Sequence, residues 1–223
     1  MSVKQNLEKI LAELPAHVKL VAVTKTHPVE LIREAYEAGH KIYGENKAQE
    51  MKAKQPLLPA DVEWHFIGHL QTNKVKYIAP FVDLIHSVDS LKLLSEINKE
   101  AIKSNRLIPC LLQFHIATEE TKFGLDFEEA CQLLESPEYK AMQNIRIGGV
   151  MGMATFTDDH HLIRKEFRQL TSYFEQLKSA YFADSKDFKE ISMGMSNDYM
   201  VAVEEGSTMV RIGSAIFGER HYL

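Results

Sequence analysis

Apolar residues recur along this chain in two alternating rhythms. Short runs rich in β-branched residues, of which 18–25 (Val-Lys-Leu-Val-Ala-Val-Thr-Lys) is the first strong one, are too apolar to be exposed on either face and read as buried parallel strands. Between them lie stretches whose apolar positions fall three and four apart, the spacing of an amphipathic helix. The pattern predicts strands at 18–25, 41–46, 63–69, 83–88, 108–116, 145–154, 190–195 and 209–217. It predicts helices at 28–38, 47–57, 73–78, 91–103, 126–135, 160–180 and 197–205, with one more at 3–14 ahead of the first strand. Punctuation agrees: Pro28 opens a helix that Gly39 stops, Asp89-Ser90 offers a cap to the helix from 91, and Gly206 closes the helix ending at 205.

Eight strands alternating with helices predict an α/β fold, a closed parallel (β/α)8 barrel, with residues 1–223 forming one domain without linker, repeat or low-complexity segment. A doubly wound open sheet is the alternative that the strand count leaves open. No Gly-x-Gly-x-x-Gly follows the first strand, which weighs against a dinucleotide-binding version of it. Only Glu219-Arg220-His221-Tyr222-Leu223 follow the last predicted strand, so the usual closing helix is expected to be missing and the helix at 3–14 to cover that flank of the barrel.

Composition narrows the setting. A chain of 223 residues buries on the order of 70% of its unfolded surface and needs no staples. Cys110 and Cys131 stand far apart with no Cys-x-x-Cys spacing, which fits a reducing compartment and suggests neither a disulfide framework nor a zinc knuckle. The N-terminal helix is interrupted by charges, unlike a signal peptide, and no run approaches the ~18 apolar residues of a membrane span. The formal net charge is −5 with no basic cluster, which argues against nucleic acid as a partner. A cytoplasmic protein without membrane contact is expected.

The candidate chemistry gathers at two stretches. Met193-Gly194-Met195-Ser196 and residues 209–218 are both apolar runs ending in small hydrogen-bonding residues, as required where backbone N–H groups close on a phosphate. In a barrel, phosphate is commonly gripped by the loops after strands seven and eight, where Ser196 and Gly213-Ser214 fall. Period 2 places Met209, Arg211 and Gly213 on one face of the last strand and Val210 and Ile212 on the other. Arg211 then faces inward, where a buried charge needs a partner; taken alone it reads equally as an edge-strand arginine paired with a carboxylate. Lys25 ends strand one, next to strand eight if the barrel closes. By itself it reads first as a strand-end lysine reaching solvent. Beside Arg211 in a partly desolvated mouth, however, a lysine is pushed toward its neutral, nucleophilic form. Phosphate grip, activated lysine and positioned arginine together point to pyridoxal 5′-phosphate held as a Schiff base on Lys25.

The same residues carry a resemblance. Val21-Ala22-Val23-Thr24-Lys25-Thr26, Tyr43-Gly44-Glu45-Asn46, the stretch from Trp64 to Lys74, Ser192 to Asp198 and Gly206 to Gly213 resemble the YggS/PROSC family of pyridoxal phosphate homeostasis proteins, in order and over nearly the whole chain. That resemblance implies a cytosolic barrel of the alanine-racemase N-terminal type. It further implies the cofactor on Lys25, phosphate on Ser196 and on Gly213 and Ser214, Arg211 opposite the pyridine nitrogen, and Asn46 and His65 beside the ring. His115 and Phe123 depart from the family pattern and bear only on ring contacts from strand five.

An arginine at the pyridine nitrogen leaves the ring a weak electron sink, and the chain has no room for the second domain that gives racemases their tyrosine acid/base. Binding and delivery of the cofactor to apo-enzymes, without robust turnover and with no catalytic residue, is therefore the expected function, and a monomer the expected state. The rivals are a pyridoxal phosphate racemase using Lys25 as base and a cofactor-free Schiff-base aldolase. His65 and His69 read as core or cofactor-side residues in a strand, with no third ligand for a metal. Lys122, in the loop after strand five, reads as a solvated lysine with a second amine role as the alternative.

Overall fold

The chain folds as β1 (Lys19–Val23), β2 (Ile42–Glu45), β3 (Glu63–Phe66), β4 (Leu84–Val88), β5 (Ile108–Phe114), β6 (Ile145–Gly152), β7 (Glu190–Ser192) and β8 (Met209–Ile212), each parallel to the next. β1 and β8 pair as well, Val21 opposite Arg211, so in this computed structural model the sheet closes into an eight-stranded barrel. The structure describes residues 2–118 and 123–218. The open-sheet alternative is thereby excluded.

Period 2 divides each strand between two cores. Val21, Leu84, Leu111, Met151 and Met209 fill the barrel interior. Leu20, Ala22, Val210 and Ile212 face outward into the layer beneath the helices. A strand sandwiched this way must be apolar on both faces, which is why β1 is buried everywhere but at its first residue. The outer layer is made by α1 (Val3–Glu13), α2 (Val29–Glu37), α3 (Ala48–Lys54), α4 (Leu91–Lys103), α5 (Phe127–Glu135), α6 (Pro137–Lys140), α7 (His160–Tyr181), α8 (Tyr199–Glu204) and α9 (Ser214–Phe217). The predicted caps are in place: Ser90 accepts from the Leu93 N–H, and Gly39 leaves α2 at φ +95°. No helix among the described residues is long and apolar enough to cross a membrane.

α1 lays Val3, Leu7 and Ile10 against α2 and α9, and the Asn6 amide donates to the Ile216 carbonyl at 2.9 Å. It covers the flank beside β8, as expected, though together with the short α9.

The last strand is the clearest correction. The apolar run 209–217 was expected to be strand throughout, with no closing helix. Instead β8 stops at Ile212, Gly213 turns the chain at φ −120°, ψ −74°, and residues 214–217 form one helical turn that buries Ile216 and Phe217. Both conformations bury the same apolar side chains, so hydrophobicity alone cannot separate them. β7 also ends early, at Ser192. Gly194 follows with φ +97°, and a Cβ there would lie 2.6 Å from that of Ala202, so the exit from β7 needs glycine on both counts.

Candidate functional site

Above the filled interior, at the C-terminal ends of the strands, opens a cavity of about 590 Å³. Of the seven residues singled out from sequence, Lys25, Asn46, Ser196, Arg211, Gly213 and Ser214 all stand on its wall. Four strand ends bring them together: β1 supplies Lys25, β2 Asn46, β7 Ser196 and β8 the other three. His65 is not on that wall. It lies buried beneath that wall, in the barrel interior.

The interior explains where His65 acts. One guanidinium nitrogen of Arg211 donates to the Ser192 hydroxyl at 2.6 Å, and the other to the Gly152 carbonyl at 3.1 Å. Ser192 Oγ lies 2.9 Å from His86 Nδ1, and His86 Nε2 lies 3.0 Å from His65 Nδ1. Arginine cannot accept, and the Ser192 hydroxyl has no other acceptor among the described residues. Its proton therefore goes to His86 Nδ1, which makes His86 the Nε2–H tautomer and a donor to His65. The whole chain is polarised away from the guanidinium.

Burial sets the charge states along it. It pushes His65 down to about 3 and His86 well below the ordinary histidine value, so both rings are neutral at neutral pH. Burial also lowers Arg211 to about 10, partly offset by Asp198, and at neutral pH the guanidinium stays charged. Among the described residues no carboxylate forms an ion pair with Arg211; its hydrogen-bond partners are a hydroxyl and a carbonyl.

The cavity wall also carries small hydroxyls. Ser214 Oγ and Ser196 Oγ face each other at 3.2 Å across the exits of β8 and β7. The loop carrying Ser196 is pinned by Asp198, whose carboxylate accepts from the Met195 N–H, and by the Arg211 N–H donating to the Gly194 carbonyl at 2.9 Å. On the same wall, Asn46 Oδ1 is buried without a hydrogen-bond partner among the described residues, a state that costs free energy unless something fills it.

The far wall is the loop after β6. The buried Glu166 of α7 accepts from the Thr155 N–H at 2.7 Å and from its hydroxyl at 2.6 Å, and that hydroxyl also receives the Thr118 N–H from the loop after β5. Phe156 and His160 stand beside it on the cavity wall. His69, outside the cavity wall, stacks on Phe123 with ring centroids 3.8 Å apart and faces Asp89 at 3.4 Å. Lys122 lies outside the described residues.

Sequence reasoning missed His86, Ser192 and Glu166. The signal for His86 was present, since it shares the inward face of β4 with Leu84; Ser192 shares its face of β7 with Glu190 and stands out less. Glu166 carries no such mark among the many charges of a surface helix.

Comparison with known proteins agrees with this fold. The family model described as alanine racemase, N-terminal domain, matches residues 1–221. A pyridoxal phosphate homeostasis protein of Aquifex aeolicus is 42% identical over 205 residues, covering 92% of this chain and 88% of that one. The solved structure of PipY from Synechococcus elongatus without pyridoxal phosphate superposes with a TM-score of 0.91 at 35% identity, covering 97% of this chain and 100% of that one. The same protein with pyridoxal phosphate bound gives 0.87 at 34% identity, with the same coverage.

Proposed function

We propose a function from one premise: the chain belongs to the alanine racemase N-terminal domain family and, within it, to the pyridoxal phosphate homeostasis proteins. It binds pyridoxal 5′-phosphate and serves the homeostasis of that cofactor, as one barrel domain over residues 1–223.

The residues present fit the group. A cavity of about 590 Å³ lies within the range of about 300–1,000 Å³ usual for small-molecule sites. Its wall holds a buried guanidinium that no carboxylate among the described residues bonds directly, an amide oxygen without a hydrogen-bond partner and two facing hydroxyls. A phosphorylated, hydroxylated pyridine answers each of these needs, and that convergence on one wall is the observation that carries the reading. Ser196, Ser214 and the Gly213 backbone hold the phosphate. Arg211 donates toward the ring nitrogen, and Asn46 meets the ring edge. Lys25 supplies the amine. His65 acts at a distance, through His86 and Ser192, by fixing the guanidinium.

When bound, the cofactor supplies an aldehyde that condenses with a primary amine. The chain's contribution is to hold it firmly but reversibly, since each charge-assisted hydrogen bond to phosphate is worth about 1.5–3 kcal/mol. A guanidinium held by neutral partners offers the ring nitrogen a donor and no proton. It therefore leaves the ring poorly suited to carbanion chemistry. Holding and delivery rather than turnover follows, with apo-enzymes of the cytoplasm as recipients.

The test is the visible spectrum of the purified protein with pyridoxal phosphate, before and after borohydride, followed by peptide mapping. A reduced adduct on Lys25 that disappears in Lys25→Ala is the expected result. An adduct elsewhere, or a protein that stays colourless, overturns it. Steady multiple turnovers of L-alanine to D-alanine by the loaded protein overturn the carrier reading in favour of a racemase.

A further inference from the structure

Lys25 is flanked by two residues whose backbones are held by one buried ionic cluster. On the near side, the Thr24 N–H donates to the Gly44 carbonyl at 3.0 Å, its hydroxyl donates to Glu45 Oε1 at 2.6 Å, and its carbonyl accepts from Lys54 Nζ at 2.8 Å. On the far side, the Thr26 N–H donates to Glu50 Oε1 at 2.6 Å. Lys54 joins the two: its ammonium also donates to Glu45 Oε1 and to Glu50 Oε1, each at 2.7 Å, so all three of its protons are used. Thr24 and Glu45 are fully buried, and Lys54 nearly so.

Thr26 has φ +66°, one of two non-glycine residues in the left-handed region among those described. A β-branched side chain resists that conformation, and it persists only where neighbours over-determine it. The Glu50 carboxylate on its N–H is such a neighbour. Packing α3 on the barrel does not call for charges, because a buried ion pair seldom stabilises more than well-packed apolar residues of the same volume. Three directed bonds to Thr24 and Thr26 are what apolar residues cannot supply.

We propose that Glu45, Lys54 and Glu50 are positioning residues that fix the backbone on both sides of Lys25 and so aim its amine into the cavity for covalent capture of an aldehyde. The inference rests on the function proposed above. In the step itself the neutral Lys25 nitrogen would add to the aldehyde carbon, the carbonyl oxygen would leave as water carrying the two protons that the nitrogen gives up, relayed by solvent, and a C=N bond would replace C=O. No oxidant or further reactant is needed. The cluster touches none of the reacting atoms; it sets the geometry from which they meet.

The experiment compares two ligands. Pyridoxal phosphate binds and condenses, whereas pyridoxamine 5′-phosphate has an amine in place of the aldehyde and binds without condensing. Stopped-flow absorbance gives the rate of capture for the first, and calorimetry the affinity for the second. Glu50→Ala is expected to slow capture by about tenfold or more while changing pyridoxamine phosphate affinity by less than about twofold. Glu50→Gln, which keeps an acceptor for the Thr26 N–H, is expected to return most of the rate. The pair Glu45→Gln/Lys54→Met, which leaves no buried unpaired charge and frees only the partly exposed Glu50, is expected to slow capture in the same way.

Should that pair fail to fold, the Glu50 variants decide alone, since Glu50 sits at the cluster's partly exposed edge. Capture at the wild-type rate in Glu50→Ala overturns the proposal. So does an equal loss of affinity for both ligands, which marks a general loosening of the site. Failure of the underlying reading is a separate result, because the wild-type protein then forms no adduct on Lys25 at all.

Discussion

Lys54 and Arg211 are both cations taken out of water, 7% and 4% exposed, and they are treated in opposite ways. Lys54 sits outside the barrel against two carboxylates and a carbonyl, with every proton spoken for. Arg211 sits inside it on a hydroxyl and a carbonyl, and the chain leading away from it is neutral to its end. A compensated charge locks geometry and has nothing left to offer a ligand. An uncompensated one is held ready at a cost, and a ligand that accepts from it recovers that cost. The fold thus keeps its fully paired cation and the cation on the cavity wall in different layers.

The largest test of that contrast removes each cation. Lys54→Ala leaves Glu45 buried beside no counter-charge, and urea unfolding is expected to show a loss of about 3–5 kcal/mol, the usual result of breaking one side of a buried pair. Arg211→Met removes a charge that no carboxylate among the described residues bonds directly and that Asp198 offsets only in part, and it keeps most of the volume. Its ligand-free stability is expected to change by less than about 1 kcal/mol, while pyridoxal phosphate affinity falls by about a hundredfold or more. Equal destabilisation by both would erase the distinction between the layers.

A smaller test uses acid. His65 and His86 are held below their unfolded value of about 6.5, so between pH 6 and 4 the unfolded state binds protons that the native state does not. Stability is therefore full above about pH 6.5 and falls on acidification, by about 1.4 kcal/mol per pH unit for each histidine. Glu45 acts in the opposite sense: burial raises its pKa, so its folded form gains protons first as pH drops. His86→Asn keeps an acceptor for Ser192 and removes one titrating ring. It is expected to flatten the pH dependence of stability by about one histidine's share, whereas Glu45→Gln is expected to steepen it. Chemical denaturation at pH 4, 5, 6 and 7 measures both slopes.

The two layers differ also in how far the sequence reveals them. Barrel closure, strand order and the inward direction of Arg211 are legible because period-2 alternation and βα repetition are local patterns that the closed sheet merely joins. Six of the seven candidate residues stand on one wall because each lies at a strand end, and strand ends meet at one mouth. What was not legible depends on register between distant strands. His65, His86 and Ser192 come from β3, β4 and β7, and nothing local says that their side chains form a line. Lys54 ends a helix and follows Lys47 and Lys52, so its burial shows only when α3 is laid on β1 and β2. The end of β8 was missed for a different reason. An apolar run states that side chains are buried, and Gly213 alone marks where strand becomes helix.

The smallest effect is expected at Asn46, whose amide oxygen belongs to neither layer. Buried without a partner, it contributes nothing favourable to the ligand-free protein. Asn46→Ala should therefore leave the thermal midpoint unchanged or raise it slightly, because an unmet acceptor is removed. If that oxygen is kept for a donor on the ligand, the same change should weaken pyridoxal phosphate by about tenfold, close to one neutral hydrogen bond. Asn46→Asp separates donor from charge. A carboxylate beside a phosphate-bearing ligand adds repulsion, so affinity should fall further than in the alanine variant. A thermal midpoint that drops in Asn46→Ala with affinity unchanged would place Asn46 with Lys54, as a piece of the scaffold.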